Sequence, residues 1–290
     1  MNFGHVLTAM VTPFDQKGNI DFGKAEKLIE HLLVNGTEGF VVAGTTGESP
    51  TLSTEEKLSL FRYVVKTVNG RAPVIGGVGS NDTQASVEFT KLATETGIDG
   101  VMAVSPYYNK PSQAGLFAHF SAIANATPLP VMIYNIPGRC NVNVSAETMI
   151  ELAKAENIVS VKEASGDLEQ MAAIIENTDD SFTLYSGDDQ LTLPALAIGA
   201  DGIVSVSAHV IGSEMKQMIE SFKAGSVAEA AQLHRKLLPI MKSLFVAPNP
   251  SPVKAALKQK GVDAGGVRLP MVPLSEAERK VVIDALKATK

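Results

Sequence analysis

Along the chain one alternation recurs. A short run of β-branched and apolar residues is followed by Gly, Pro, Ser or Thr, and then by a segment with helical spacing. The runs are HVLTAMVTP (5–13), GFVVAG (39–44), APVIGGVG (72–79), GVMAVSP (100–106), LPVMIYN (129–135), NIVSVKE (157–163), FTLYSGD (182–188) and GIVSVS (202–207). Between them, DFGKAEKLIEHLLVNG predicts a helix with Leu28, Ile29, Leu32 and Leu33 on one face and Gly36 closing it. NDTQASVEFTKLATETG predicts a helix capped by Asn81, with Val87, Phe89 and Leu92 inside.

Continuously apolar strands alternating with helices imply a parallel sheet covered on both faces. Eight such units predict a closed α/β architecture, a (β/α)8 TIM barrel. An open doubly wound sheet is the alternative, but it calls for a Gly-rich turn after the first strand, where VTPFDQKGN stands instead. From about Ser226 the pattern turns all-helical, with SVAEAAQLHRKLLPIMKSLF and SEAERKVVIDALKATK joined by the Pro-rich APNPSPVK. The expected division is therefore a barrel carrying the active site over 1–225 and a C-terminal helical appendage over 226–290.

Composition narrows the function. The 290 residues are 45% hydrophobic, enough for a large core, and the net charge is −6 with no basic cluster, which argues against nucleic acid or an anionic membrane as partner. No apolar run reaches the ~18 residues of a membrane span. The opening segment has no basic stretch ahead of its apolar run, which Pro13 and Asp15 interrupt, so it does not predict a signal peptide. One cysteine, Cys140, excludes an intrachain disulfide and fits a reducing, cytoplasmic setting. The five dispersed histidines and single cysteine predict no metal site. No Gly-x-Ser-x-Gly elbow and no Walker loop is present.

The polar residues gather where barrel enzymes keep their chemistry, at the carboxyl ends of the strands. These ends read Gly44-Thr-Thr-Gly-Glu-Ser49, Ser105-Pro-Tyr-Tyr-Asn109, Tyr134-Asn-Ile-Pro-Gly-Arg139, Lys162 and Ser186-Gly-Asp188. Strand alternation puts Lys162 inward with Ser160 and Ile158, and Val159 and Val161 outward. An inward lysine loses hydration, its pKa falls, and the neutral amine can form a Schiff base with a ketone. A strand-end lysine can also snorkel to water or pair with a carboxylate. Tyr134, on the neighbouring strand, could move the protons that imine formation requires, with hydroxyls from Thr45 and Thr46. The Gly44 and Gly47 brackets permit a turn whose N–H groups hold a small carboxylate, although an ordinary strand-to-helix turn reads the same way. Arg139, after Pro137-Gly138, could grip a second carboxylate or simply sit on the surface. The adjacent Tyr107 and Tyr108 suit subunit packing, proton transfer or both. His209 is the one histidine near this rim; Asp188 and Asp189 could in principle bind a metal or act as acids, but Gly187 is read as shaping the pocket and Asp189 as starting the next helix.

GTTGES (44–49), SPYYNKP (105–111), YNIPGR (134–139) and VKEASGD (161–167), in this order, resemble the dihydrodipicolinate synthase family of pyruvate-dependent class I aldolases. The likeness extends over VTP (11–13), LYSGDD (184–189) and NPSPVK (249–254). It implies condensation of pyruvate with aspartate 4-semialdehyde to 4-hydroxy-tetrahydrodipicolinate, in lysine and diaminopimelate biosynthesis. Lys162 would carry the Schiff base. Tyr134, Thr45 and Tyr108 would relay protons, Tyr108 reaching in from a neighbouring subunit. Thr45 and Thr46 would hold the pyruvate carboxylate, Arg139 that of the semialdehyde, and Gly187 and Ile203 would line the pocket through their backbone. No metal or organic cofactor is expected, and a homotetramer built as a dimer of dimers, or a dimer, is. Sialic acid lyases share the lysine and tyrosine but usually lack the arginine. A sugar-acid lyase and a non-catalytic anion-binding barrel are the rival readings.

One departure from the family pattern stands out. The effector residues of lysine-inhibited members would fall at Ser49, Pro50, Thr54, Lys57, Asn81, Ala85 and Tyr107, where regulated members usually carry histidine at the Lys57 position and glutamate at that of Ala85. A cationic effector would meet a like charge and lose a counter-charge, which predicts weak or absent inhibition by lysine.

Overall fold

A computed structural model describes residues 3–289. Eight parallel strands close into a barrel in sequence order: β1 (Val6–Ala9), β2 (Gly39–Val42), β3 (Val74–Gly77), β4 (Gly100–Val104), β5 (Val131–Asn135), β6 (Ile158–Glu163), β7 (Thr183–Ser186) and β8 (Gly202–Ser205), with β8 pairing back on β1. Around them lie α1 (Phe22–Val34), α2 (Thr54–Val68), α3 (Thr83–Thr94), α4 (Gln113–Ala124), the one-turn α5 (Pro137–Cys140), α6 (Ala146–Leu152), α7 (Leu168–Asn177), α8 (Thr192–Ala197) and α9 (Ala208–Lys223). Three more helices follow: α10 (Val227–Ser243), α11 (Ser251–Gln259) and α12 (Glu276–Thr289). The predicted (β/α)8 barrel and its helical tail are both present.

Two apolar layers explain why the strands are apolar throughout. Leu7, Val41, Ile75, Met102, Met132 and Val204 meet inside the barrel with Phe3, Tyr134 and Tyr185. Val6, Phe40, Val42, Val74, Val101, Ile133 and Val161 face outward against the helices. At the amino end of the strands Phe3 closes the floor, its N–H donating to the Tyr185 hydroxyl at 3.2 Å.

Four local expectations are corrected. Asp82, not Asn81, caps α3, accepting from the Ala85 N–H; a carboxylate also complements the helix dipole. α3 buries Ser86, Thr90 and Ala93, whereas Val87 and Phe89 are half-buried and Leu92 is exposed, because small residues let this helix pack closely. On β6 the pairing with β5 skips a residue between Val131 and Met132, so Ile158 faces the helices and Val159 packs toward the barrel interior. The segment read as a Pro-rich joint holds a helix of its own, α11, with Pro252 in its first turn where its missing N–H is harmless. In α1, Leu28, Ile29 and Leu32 are buried as expected while Leu33 is half-buried.

Candidate active site

The β6 irregularity leaves the upper end of the strand in the expected phase. Lys162 pairs laterally with Tyr134 of β5 and Tyr185 of β7, points inward and is 5% exposed. Its Nζ lies 4.1 Å from the centroid of the Tyr134 ring. No carboxylate is within ion-pairing distance of it among the described residues. Burial therefore dominates, and the amine's pKa falls from 10.5 to about 7; the more distant Asp189 pulls it up and Arg139 pushes it further down. A large share of the amine is uncharged at neutral pH.

The same dryness acts on Tyr134 in the opposite sense on the scale. Burial raises the phenol to about 12, against the positive charge of Arg139 and a hydrogen bond with Thr45, which both lower it. Both groups are thus biased to their neutral forms, an amine able to attack and a phenol that still has its proton to give.

Gly187 follows β7 and is bound through its N–H to the Glu163 carbonyl at 2.7 Å. A Cβ built on it would lie 2.7 Å from the Ala164 Cβ and 3.1 and 3.2 Å from Cε and Cγ of Lys162. The glycine is where the lysine stem passes. Gly187→Ala is expected to push that stem aside and slow capture of a keto acid at Lys162 by at least about tenfold through lost alignment, read by the rate of borohydride trapping. A parental rate would show that the stem has room to spare.

The turn after β2 is left-handed at Ala43 (φ +52°) and Glu48 (φ +57°), and closes through Glu48 N to Thr45 O (3.0 Å) and Ser49 N to Gly44 O (3.2 Å). The N–H groups of Thr45 and Thr46 bond to nothing in the protein among the described residues, which leaves them free for an anion. Gly47 is required here, since a Cβ would come within 3.0 Å of the Ala43 Cα and 3.2 Å of the Met10 carbonyl. Thr45 is half-buried; Thr46 is buried and accepts a hydrogen bond from Asn249 at 2.9 Å.

Above this floor opens a cavity of about 240 Å³, walled by Thr45, Tyr134 and the exposed Arg139, which stands on α5 rather than in an open loop. Lys162 is not on this wall; its Nζ lies over the ring of Tyr134, which is. The cavity continues to Ser49, Pro50, Lys57 and Tyr107; Thr54, Asn81 and Ala85 are outside its wall. A larger cleft of about 600 Å³ between the barrel and α11–α12 holds none of the proposed nucleophile or relay residues.

Tyr108 does not join the site of its own chain. It is 87% exposed with φ +74°, a strained conformation for an aromatic residue. The side chain of Ile203 faces the helices, in the outer cluster, and its backbone pairs level with Ser186. His209 is fully buried and structural: Nδ1 donates to the Val206 carbonyl, Nε2 accepts from the Val11 N–H, and burial drives its pKa down to about 4. Asp189 opens a short 3-10 turn as expected, but it is also buried, accepting from the hydroxyls of Ser205 and Ser207 and from the Ser207 N–H. Among the described residues no group of three or more His, Cys, Asp or Glu is placed to hold a metal ion.

Sequence reasoning missed the support behind β5 and β6. Glu163, fully buried, accepts from Asn135 Nδ2 (2.9 and 3.1 Å), Ser165 N (2.7 Å) and Gln170 Nε2 (3.1 Å), and burial raises its pKa. Asn135 Oδ1 in turn accepts from Val144 N at 3.0 Å. The pair follows directly on Tyr134 and Lys162, and ties the two strand ends together on the face away from the barrel. Polar residues at positions otherwise filled by Ile133 and Val161 were the available signal.

The sequence profile described as Dihydrodipicolinate synthetase family matches residues 2–289. A Halalkalibacterium halodurans protein named 4-hydroxy-tetrahydrodipicolinate synthase 2 is 64% identical over 292 residues, covering 100% of both chains. The crystal structure of dihydrodipicolinate synthase from Bacillus anthracis is similar with TM-score 0.98 at 56% identity, over 99% of this chain and 98% of that one. The lysine-bound structure of the enzyme from Cyanidioschyzon merolae follows at TM-score 0.97 and 49% identity, over 99% and 98%.

Proposed function

The chain belongs to the dihydrodipicolinate synthetase family, and from that premise we propose that Lys162 captures pyruvate as a Schiff base within the buried well formed by Tyr134 and the Gly44–Ser49 turn. The activity is that of an aldolase-type lyase, the 4-hydroxy-tetrahydrodipicolinate synthase reaction of lysine and diaminopimelate biosynthesis. The observation that carries the site assignment is the unpaired, buried lysine beside a protonated tyrosine.

The chemistry follows from those two groups. The neutral Lys162 amine attacks the pyruvate carbonyl. A proton leaves nitrogen and another reaches the departing hydroxyl, so that water is lost and the imine forms; Tyr134 and Thr45 are the relay. The imine makes the methyl protons acidic, and loss of one gives an enamine. Its carbon attacks the aldehyde of aspartate 4-semialdehyde. The amine of that substrate then adds to the former ketone carbon and releases Lys162, giving the cyclic product. Thr45 and Thr46 hold the pyruvate carboxylate at the free N–H groups of the turn, Arg139 holds the semialdehyde carboxylate, and Gly187 and Ile203 line the well through their backbone. The sequence needs no metal or organic cofactor, since protein groups supply every proton transfer.

Tyr108 completes the relay from a second subunit; its strained backbone and 87% exposure support a role outside its own chain. The working assembly is a homotetramer or dimer. No helix among the described residues is long and apolar enough to cross a membrane, and the reaction is assigned to the cytoplasm.

The test is substrate choice. Purified protein with pyruvate should form product with aspartate 4-semialdehyde and release nothing from N-acetylneuraminate; the reverse would favour a sialic acid lyase. Inhibition by lysine is expected to be weak. Lys57 is half-buried on the cavity wall, 5.3 Å from the centroid of the Phe89 ring and in no ion pair among the described residues, and Ala85 offers no counter-charge. Half-inhibition below ~1 mM, the affinity of a modest ligand, would overturn this expectation.

A further inference from the structure

The Gly44–Ser49 turn is not held by the barrel alone. From the barrel side, Thr12 Oγ1 donates to the Gly47 carbonyl at 2.6 Å. Thr51 Oγ1 donates to the Glu48 carbonyl at 3.1 Å, but the bonds to the side chains of Thr46 and Glu48 come from the far end of the chain. Asn249, between α10 and α11, is 6% exposed and donates through Nδ2 to Thr46 Oγ1 at 2.9 Å. A hydroxyl oxygen that already accepts keeps its own proton free to donate elsewhere. Lys254 of α11 donates to Glu48 Oε1 at 2.7 Å and to the Gly266 carbonyl at 2.6 Å, and Arg268 N donates to Glu48 Oε2 at 2.9 Å. This ion pair is almost wholly buried, with side-chain exposures of 4% and 2%. The Lys254 ammonium and the Arg268 guanidinium lie 4.4 and 4.5 Å from the centroid of the Phe14 ring.

Neither feature is explained by stability. A buried ion pair is often no better than apolar residues of the same size. The other amide atom of Asn249, Oδ1, is buried without a hydrogen-bond partner, a destabilising arrangement that calls for a reason. What the two features share is the turn they hold. Glu48 is one of its two left-handed residues, and Thr46 is its buried hydroxyl.

We propose that the C-terminal appendage is part of the substrate-carboxylate site, with Asn249 orienting the Thr46 hydroxyl as a donor and the Lys254–Glu48 pair fixing the left-handed end of the turn. All three are positioning residues. The inference rests on the reading above that Thr46 meets the pyruvate carboxylate.

The test uses the full-length protein and three variants: Asn249→Ala, Asn249→Asp, and Glu48→Gln combined with Lys254→Met, which leaves neither partner as an unpaired buried charge. Four quantities are measured: the pyruvate concentration that half-saturates borohydride trapping at Lys162, kcat, KM for aspartate 4-semialdehyde, and trapping of hydroxyacetone, a ketone with no carboxylate. Asn249→Ala should raise half-saturating pyruvate about tenfold, the weight of one hydrogen bond to a charged group. Asn249→Asp should raise it further, because an acceptor there turns the Thr46 proton away and adds a like charge. The paired variant should raise it too. Semialdehyde KM should stay within about twofold, and hydroxyacetone trapping should not change. Half-saturating pyruvate unchanged in every variant, or hydroxyacetone trapping lost in the same proportion as pyruvate, overturns the proposal. Should Asn249→Ala not fold, the paired variant decides alone. A parent protein that fails to trap pyruvate sinks the function and this inference together; a parent that traps beside unaltered variants sinks only the inference.

Discussion

Lys162→Ala should lose at least about a thousandfold in turnover, since it removes the buried amine held against the Tyr134 ring, and the borohydride adduct on the peptide carrying residue 162 should vanish. Retention of near-parental turnover would refute the Schiff-base assignment. The sign of the stability change separates this lysine from an ordinary core residue. Its pKa is about 7 in the folded chain against 10.5 when exposed. Between those values the unfolded chain binds a proton that the folded chain does not, so folding stability rises with pH from about 7 to 10.5 through this group. The penalty is fully present below about 7 and gone above 10.5. Lys162→Met, which fills similar space without charge, is therefore expected to be more stable than the parent at pH 6 to 7 by on the order of 2 kcal/mol. The advantage should shrink toward pH 10. Urea unfolding at three pH values reads it directly, and a variant less stable than the parent at every pH would show that the amine is not held uncharged.

The second large effect belongs to Tyr134. Tyr134→Phe keeps the ring 4.1 Å from Lys162 and removes only the proton donor. Loss of one positioned general acid–base group is expected to lower kcat/KM about 100- to 1,000-fold. The adduct at Lys162 should still form when trapping is prolonged, because the amine is untouched. A variant within about tenfold of the parent would move the relay to another group, and one that never forms the adduct would make the phenol part of pyruvate binding.

How much of this could be read from the chain depended on whether a signal was local. The strands were legible because each is an apolar run with a turn residue after it, and a parallel barrel buries both faces of every strand. Lys162 was legible as inward-facing, yet its partner Ile158 was placed on the wrong face, since the one-residue skip on β6 leaves no mark in the sequence. The face of α3 was misjudged because bulk was taken for burial, whereas Ser86, Thr90 and Ala93 pack inward. α11 hid behind its prolines, one of which sits in the first turn, where a helix tolerates it. The residues with the least local signature were the distant ones. Nothing near Asn249 or Lys254 in the chain points to Thr46 or Glu48, about 200 positions earlier. Tyr108 looked like half of a tyrosine pair; its positive φ and its greater exposure set it apart from Tyr107, which lies on the cavity wall.

The sealed floor of the barrel has a kinetic consequence. Phe3 and Tyr185 shut the lower end, so the well has one mouth, and Lys162 is buried whereas Arg139 is exposed. With the keto acid captured at Lys162 as proposed, two reactants sharing a single doorway must queue: the keto acid goes down first, and the aldehyde lands on top of it. An aldehyde arriving early would block the passage, so excess of the second reactant should compete with the first rather than assist it.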